Sequence, residues 1–336
     1  MEQQSKELFA RCFLLLLRYY VIFEHDHQHN DENLLIFAIR TFLALCMNFR
    51  AYGKINIGLR ILRKRSDGYH DIETIFHQID LYDELSIEPA DSVMLKTSST
   101  EIPTDAANLC VRAAELFRQN TGYRKGVEIQ LKKHIPVGAG LGGGSSNAAS
   151  VLVALNTFWN IGMERQKLES MASQLGSDVP FFIQGSTASG TSRGEILEHF
   201  QLNVPFWIIT ATPSIHISTM WAYTNVKLLE RPETRPLRIL VEQSMADPVE
   251  IRTHIQNDFE QLVFRTYPQI RLLKEKLESA GAILAQLSGS GSSVFGLFRD
   301  ENAVRALVKD LAATCKTSLT APGFQAQKEP SRTTAP

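Results

Sequence analysis

The run Pro136-Val137-Gly138-Ala139-Gly140-Leu141-Gly142-Gly143-Gly144-Ser145-Ser146 places five glycines and then two hydroxyls at the mouth of an apolar segment. Glycine lets backbone N–H groups turn toward an anion with no Cβ in the way, and the positive end of a following helix adds its dipole. The chemistry this implies is the cradling of a phosphate, and so the handling of a nucleotide. A glycine-rich stretch is also the composition of a flexible linker. The flanks argue for the cradle. Residues 127–131 alternate apolar and polar as a half-buried strand does, and residues 148–159 are apolar on nearly every face, as in a buried helix.

Several phosphate loops share this composition. Gly138, Gly140 and Gly143 satisfy G-x-G-x-x-G, but the nearest acidic candidate, Glu164, lies on a polar segment rather than at the end of a second strand. Gly144-Ser145-Ser146 lacks the lysine of a Walker A loop, and neither His-Arg-Asp nor Asp-Phe-Gly follows, as a protein kinase would require. What is left is a glycine loop opening straight into a helix. Its serines are placed to cap the first turn or to offer hydroxyls to phosphate or magnesium.

Residues 52–62 alternate clearly, with Ile55, Ile57, Leu59 and Ile61 on one face and Lys54, Asn56, Gly58 and Arg60 on the other. Lys54 and Asn56 therefore point the same way. Gly53 and Gly58 leave room for a ligand beside Lys54, whereas Arg60 reads as a solvated cation. Ser66-Asp67-Gly68 is a turn signal that delivers Tyr69 and His70, a pair suited to stacking on a base or simply to packing. Asp178 stands between a glycine turn and an apolar stretch read as a strand, where a carboxylate either closes the turn or activates a hydroxyl. Further on, residues 285–288 and 293–298 read as two strands joined by Gly289-Ser290-Gly291-Ser292, a second glycine–serine loop that would line the same cleft. A strand over 205–212 precedes a helix capped by Ser218 or Thr219, and residues 257–260 open another helix.

With 336 residues, 44% of them hydrophobic, and a formal charge of −1, the chain is long enough for one large or two moderate cores. That charge balance points to neither a nucleic acid nor an anionic membrane as partner. Cys12, Cys46, Cys110 and Cys315 are scattered without C-x-x-C spacing, which supports no zinc site or disulfide framework and fits a cytoplasmic protein. Near the start, residues 12–23 are apolar but broken by Arg18, too short to cross a bilayer and without a small-residue cleavage site. The histidine-containing patch over 25–33 reads as a solvated turn, with a metal site the alternative. Residues 1–46 are expected to be an atypical extension, the working protein beginning near Met47, and 320–336 a disordered tail.

Taken in order, Lys54-Ile55-Asn56, Asp67-Gly68-Tyr69-His70, residues 136–149, Gly176-Ser177-Asp178-Val179-Pro180 and residues 287–295 resemble the GHMP small-molecule kinases over nearly all of 47–319. The resemblance implies an α+β, two-lobed fold. A lobe like the second domain of ribosomal protein S5 would span 47–202, a ferredoxin-like lobe 203–319, and the substrate would lie between them. It implies Lys54 and Asp178 as the catalytic pair and Pro136 to Ser146 as the ATP-binding run. Magnesium would travel with ATP, with no protein metal ligands assigned. Asn56 would lie near the acceptor, and Tyr69 and His70 would hold a cytosine. The Asp-Gly-Tyr-His turn singles out members whose acceptor is a cytidylated methylerythritol, phosphorylated on its 2-hydroxyl in the non-mevalonate route to isoprenoid precursors. Homoserine as acceptor, or a nucleotide-binding module without turnover, are the alternatives. A monomer or weak homodimer is expected. Gly53 and Ser177 replace alanines common in the family, and Ser192 stands where glycine is usual.

Overall fold

The computed structural model describes residues 47–229 and 234–326; the expected extension before Met47 and the tail beyond residue 326 lie outside the described residues. Two long strands organise the first half, β1 (Met47–Lys64) and β2 (His70–Ala90), paired antiparallel across the turn that carries Asp67 and Gly68. Many of their buried positions are isoleucine and leucine, among them Ile55, Ile57, Leu59, Ile61, Ile75, Ile79, Leu85 and Ile87, which suit a pleated and buried surface. The ladder slips between Asn56 and Leu59, where Gly58 has φ of +81°. A glycine fits such a bulge because an L side chain resists that backbone.

After β3 (Met94–Thr97) the chain forms α1 (Leu109–Thr121), β4 (Gly126–Lys132) and α2 (Gly143–Phe158). It continues through α3 (Arg165–Ser173), α4 (Val179–Gln184), β5 (Thr187–Ser192) and β6 (Ile196–His199). The sheet order is β3-β4-β2-β5-β6, with β1 on β2. Both β4 and β5 pair with β2, and they take different ends of it: β4 covers Glu84–Ala90 and β5 covers Ile72–His77. Residues 78–83 of β2 therefore face a gap into which the exit of β4 and the approach to β5 both open. On the other side of β2, Lys54 pairs with Gln78, opposite that gap. The topology thus brings together the glycine loop that follows β4, the turn that precedes α4, and the middle of β1.

The second half holds β7 (Trp207–Pro213), α5 (Thr219–Asn225), α6 (Leu237–Ala246), α7 (Pro248–His254), α8 (Glu260–Thr266) and α9 (Pro268–Ser279). It closes with β8 (Leu284–Leu287), β9 (Val294–Phe298), α10 (Glu301–Leu311) and β10 (Cys315–Thr320). The sheet is antiparallel throughout in the order β10-β7-β9-β8, the ferredoxin-like split arrangement.

Among the described residues three large packed regions hold these layers, and Phe76, Phe181 and Ala188 form a smaller fourth. Ala148, Val151, Leu152 and Leu155 of α2 pack with Phe117, Leu85 and Ile129. A second core lies around Ile209, Phe259 and Leu277 of the later half. Between the two sheets, Ile55, Ile57, Ile75 and Ile79 meet Ile208, Leu237, Val241 and Phe295, so the halves share a buried apolar seam. Polar contacts fix its register: Asp258 Oδ2 accepts from the Ile61 amide at 2.7 Å, and Gln286 Oε1 accepts from the Gly58 amide at 2.9 Å.

Four expectations are corrected by this architecture. Residues 179–184 are a helix, not a strand. Arg60 is buried rather than solvated, donating to Glu73 at 3.1 Å and to the Arg235 carbonyl at 2.9 Å. Gly53 and Gly58 mark close approach rather than open room: a Cβ on Gly53 would lie 3.3 Å from the Leu141 carbonyl oxygen, and one on Gly58 3.0 Å from Leu237. Part of the segment expected to be a disordered tail is placed, since Thr320 accepts from the Asp80 amide at 2.8 Å and Phe324 rests 5.6 Å from the Tyr52 ring.

Candidate active site

The glycine loop is built on left-handed positions. Gly138, Gly140 and Gly142 have φ of +64°, +82° and +70°, while Ala139 and Leu141 between them do not. Alternating handedness of this kind turns successive amides toward one concave side, the nest that binds anions. Space enforces glycine as well as conformation: a Cβ on Gly140 would lie 2.0 Å from the Ser288 carbonyl oxygen, and one on Gly142 2.8 Å from Phe182. Gly142 is also the N-cap of α2 and carries no side-chain cap. Ser145 and Ser146 therefore do not cap the helix as expected; they lie within its first turns, where the Ser146 amide donates to the Gly142 carbonyl at 2.9 Å and the amides of residues 143–145 are left open to an anion.

The second glycine loop docks on the first. Ser288 Oγ donates to the Gly140 carbonyl at 2.9 Å, and the Ser293 amide donates to the Ala139 carbonyl at 3.1 Å. Asn257 holds the second loop from behind, its Nδ2 donating to the Leu287 and Gly289 carbonyls at 2.8 Å each.

Opposite the nest, Lys54 Nζ lies 3.5 Å from Asp178 Oδ2, the side chains being 4% and 36% exposed. The amine is desolvated and the acid is reachable. Lys54 Nζ also donates to Asn56 Oδ1 at 2.6 Å, Asn56 Nδ2 to Thr74 Oγ1 at 2.9 Å, and Thr74 to the Gly58 carbonyl at 2.7 Å. The Phe76 ring lies under the ammonium, 5.3 Å away. Burial lowers the Lys54 pKa below the ordinary lysine value, and the neighbouring Asp178 carboxylate opposes that fall. Asp178 stands at the N-cap of α4 in a helical conformation and makes no capping hydrogen bond, so its carboxylate faces Lys54 instead of closing the turn.

At the far end, the His70 ring stacks on Tyr223, with centroids 5.4 Å apart and planes 27° from parallel. His70 Nδ1 is buried without a hydrogen-bond partner. Burial, with a smaller push from Lys64, lowers the His70 pKa and favours the neutral ring. Tyr69 is 55% exposed, with the Arg193 guanidinium 5.0 Å from its ring centroid. Burial, and to a lesser extent the Asp178 charge, raises the Tyr223 phenol above its usual pKa. One cleft of about 710 Å³ contains the nest, the Lys54–Asp178 pair, Asn56, Tyr69 and His70, and it draws its other wall from Thr219, Tyr223, Phe259, Gly289 and Ser290.

Comparison with known proteins agrees with this geometry. The description "GHMP kinases N terminal domain" matches residues 108–186 and "GHMP kinases C terminal" matches 227–317. A protein of Prosthecochloris aestuarii named 4-diphosphocytidyl-2-C-methyl-D-erythritol kinase is 44% identical over 280 residues, 83% of this chain and 98% of that protein. The chain belongs to the GHMP kinases. A Chlorobium phaeovibrioides protein of the same name is 44% identical over 285 residues, covering 83% of this chain and 97% of its own length. Among solved structures, a 4-(cytidine 5'-diphospho)-2C-methyl-D-erythritol kinase superposes with TM-score 0.71 at 32% identity, covering 83% of this chain and all of that one. A homoserine kinase from Cytophaga hutchinsonii, at TM-score 0.62 and 18% identity over 84% of this chain and 96% of its own, shares the fold.

In this GHMP kinase most of the expected residues meet in the cleft. Pro136, Gly138, Ala139, Gly140, Gly142, Gly143, Gly144 and Ser145 line it. Three residues of the run do not: Val137 is exposed, Leu141 is buried in the seam between the sheets, and Ser146 is buried in α2. Ser192, at φ of +61°, keeps the left-handed turn that glycine would make. It accepts from Arg65 at 3.0 Å and donates to Glu195 at 3.2 Å, contacts a glycine lacks. Thr74, Phe76, Tyr223 and Arg193 were not legible as site residues, because nothing local in their sequence distinguishes them from packing.

Proposed function

We propose that this GHMP kinase transfers the γ-phosphoryl group of ATP to the 2-hydroxyl of 4-diphosphocytidyl-2-C-methyl-D-erythritol, giving the 2-phosphate and ADP in the non-mevalonate route to isoprenoid precursors. The observation that carries this is a buried amine and a reachable acid 3.5 Å apart, facing a glycine nest in one cleft. The nest and the first turn of α2 hold the triphosphate. Asp178 orients the acceptor hydroxyl and takes its proton as the O–P bond forms. The bond from the γ-phosphorus to the bridging oxygen breaks and leaves its electron pair on ADP. Lys54, held on Asn56, offsets the charge between the hydroxyl and the transferring group. Such a transfer is driven mainly by positioning and electrostatics.

His70 and Tyr223 form an aromatic wall with an unpaired ring nitrogen, suited to stacking and hydrogen bonding with the cytosine; Tyr69, flanked by Arg193, borders it. Among the described residues no group of three His, Cys, Asp or Glu side chains is arranged to hold a metal. Ser145 and Asp178, two of the oxygen-bearing side chains that line the cleft, suit a magnesium ion that arrives on ATP, where it neutralises phosphate charge. No described helix is long and apolar enough to cross a membrane, and Cys110 and Cys315 are free thiols, which fits our placement of the enzyme in the cytoplasm.

An ATP-consumption assay with a small acceptor panel tests the assignment. The cytidylated methylerythritol should be phosphorylated and homoserine should not; preference for homoserine, or ATP turnover with neither, would overturn it.

A further inference from the structure

Asp83 is an acid on an otherwise apolar face of β2, in step with Ile79, Leu81, Leu85 and Ile87, and its side chain is wholly buried. A carboxylate there is costly unless every lone pair is used. Here it is used at both oxygens. Oδ1 accepts from the His134 amide at 2.7 Å and the Ile135 amide at 2.9 Å. Oδ2 accepts from the Lys133 ammonium and from Asn147 Nδ2, the latter at 2.8 Å. Lys133 in turn donates to Asn147 Oδ1 at 3.1 Å.

These partners lie on the two sides of the glycine nest. Residues 133–135 lead into it from β4, and Asn147 is on α2, which leaves it. One carboxylate therefore ties entrance to exit. The closing glycine rests on the same network, since a Cβ on Gly143 would come within 3.1 Å of Lys133 Nζ and 2.9 Å of Ile135 Cγ2. An unpaired ammonium beneath a helix N-terminus would be repelled by the helix dipole, and Asp83 offsets that charge. Asp83, Lys133 and Asn147 are absent from the cleft wall, so whatever they do is done through the loop.

We propose that Asp83 is the positioning residue of the phosphate loop: by clamping Lys133 and Asn147 it fixes the nest in its anion-binding shape and sets the affinity for the ATP triphosphate. This rests on the kinase reading above and adds to it a residue remote from the reacting atoms. A loop free to relax would lose triphosphate affinity first: Lys54 and Asp178 stand on β1 and at the start of α4, and the loop meets Lys54 at the backbone, where the Leu141 carbonyl accepts from the Lys54 amide at 2.9 Å.

The test is ATP binding by calorimetry without acceptor, alongside steady-state kinetics, for wild type, Asp83→Asn and the milder Asn147→Ala. We expect Asp83→Asn to weaken ATP binding and raise the ATP KM at least tenfold. Asn147→Ala should raise it about threefold, and in both the acceptor KM should stay within twofold. A merely structural role would reduce the active fraction, lowering apparent kcat with both KM values unchanged, and that result overturns the proposal. So does unaltered ATP affinity in either variant that folds; should Asp83→Asn not fold, Asn147→Ala decides. Failure of the wild type to bind ATP would instead refute the kinase reading itself.

Discussion

Asn56→Ala probes how the buried ammonium is held. In the wild type Lys54 Nζ has two polar neighbours, Asn56 Oδ1 at 2.6 Å and Asp178 Oδ2 at 3.5 Å. Only the first is within ordinary hydrogen-bond distance. Removing it takes away a hydrogen bond to a charged group, an interaction of about 1.5–3 kcal/mol. If Lys54 acts on the transferring group, and the loss falls on the transition state, kcat should drop on the order of ten- to a hundredfold. Thr74 loses a donor at the same time but keeps its own bond to the Gly58 carbonyl, so with the lost Lys54 bond the stability cost should be about 2.5–4 kcal/mol and the Tm should fall by about 5–15 °C. Initial rates at saturating ATP and acceptor, read with a thermal melt, separate the two effects. A variant whose kcat stays within about threefold of wild type while its Tm falls as expected would refute the claim that Asn56 positions the catalytic amine.

Two pH effects follow from buried groups. Lys54 should titrate below the ordinary lysine value of 10.5, so activity should decline on the alkaline side as the ammonium is lost; because Asp178 opposes that shift, Asp178→Asn should lower the Lys54 titration further. Nitrogen NMR of the lysine amines checks this, and a higher titration point in Asp178→Asn would contradict it. His77 is buried against Thr187 at 2.8 Å, and burial pulls its pKa down from 6.5 to about 4. The unfolded chain takes up this proton first, so stability is full above pH 6.5 and falls as pH drops toward 4, by about 3 kcal/mol. Urea unfolding at pH 7 and 4.5 should show a smaller difference for His77→Gln than for wild type; equal differences would remove His77 from the account.

The parts of the fold legible in the sequence are those where one local rule acts alone. The alternation through β1 placed Lys54 beside Asn56, and glycine spacing located the nest, because both depend on backbone periodicity. Residues 179–182, Val-Pro-Phe-Phe, were misread because a short apolar run has no period; Pro180, in the first turn of α4, was the available clue. Arg60 was misread because the charge that neutralises it, Glu73, lies across the β1–β2 pair. The glycines at 53 and 58 were read as empty space, whereas other backbone and side chains fill it, a tertiary fact. Asp83 did leave a trace, an acid where the alternation of β2 calls for an apolar residue, but its partners lie about fifty and more positions away. The stacking of His70 on Tyr223 joins the two halves of the chain and has no local signature.

The central claim is that the terminal phosphate of the nucleotide held at the glycine nest lies between Lys54 and Asp178. The most direct measurement is single-turnover transfer from γ-labelled ATP to the cytidylated methylerythritol by wild type, Lys54→Ala and Asp178→Asn, each checked for folding and ATP binding. The account predicts label on the 2-hydroxyl for wild type and at least hundredfold slower transfer in each variant with the fold intact, on the scale expected when a group acting in the transition state is removed. Transfer at wild-type rates in either variant, or label on another acceptor atom, would contradict it.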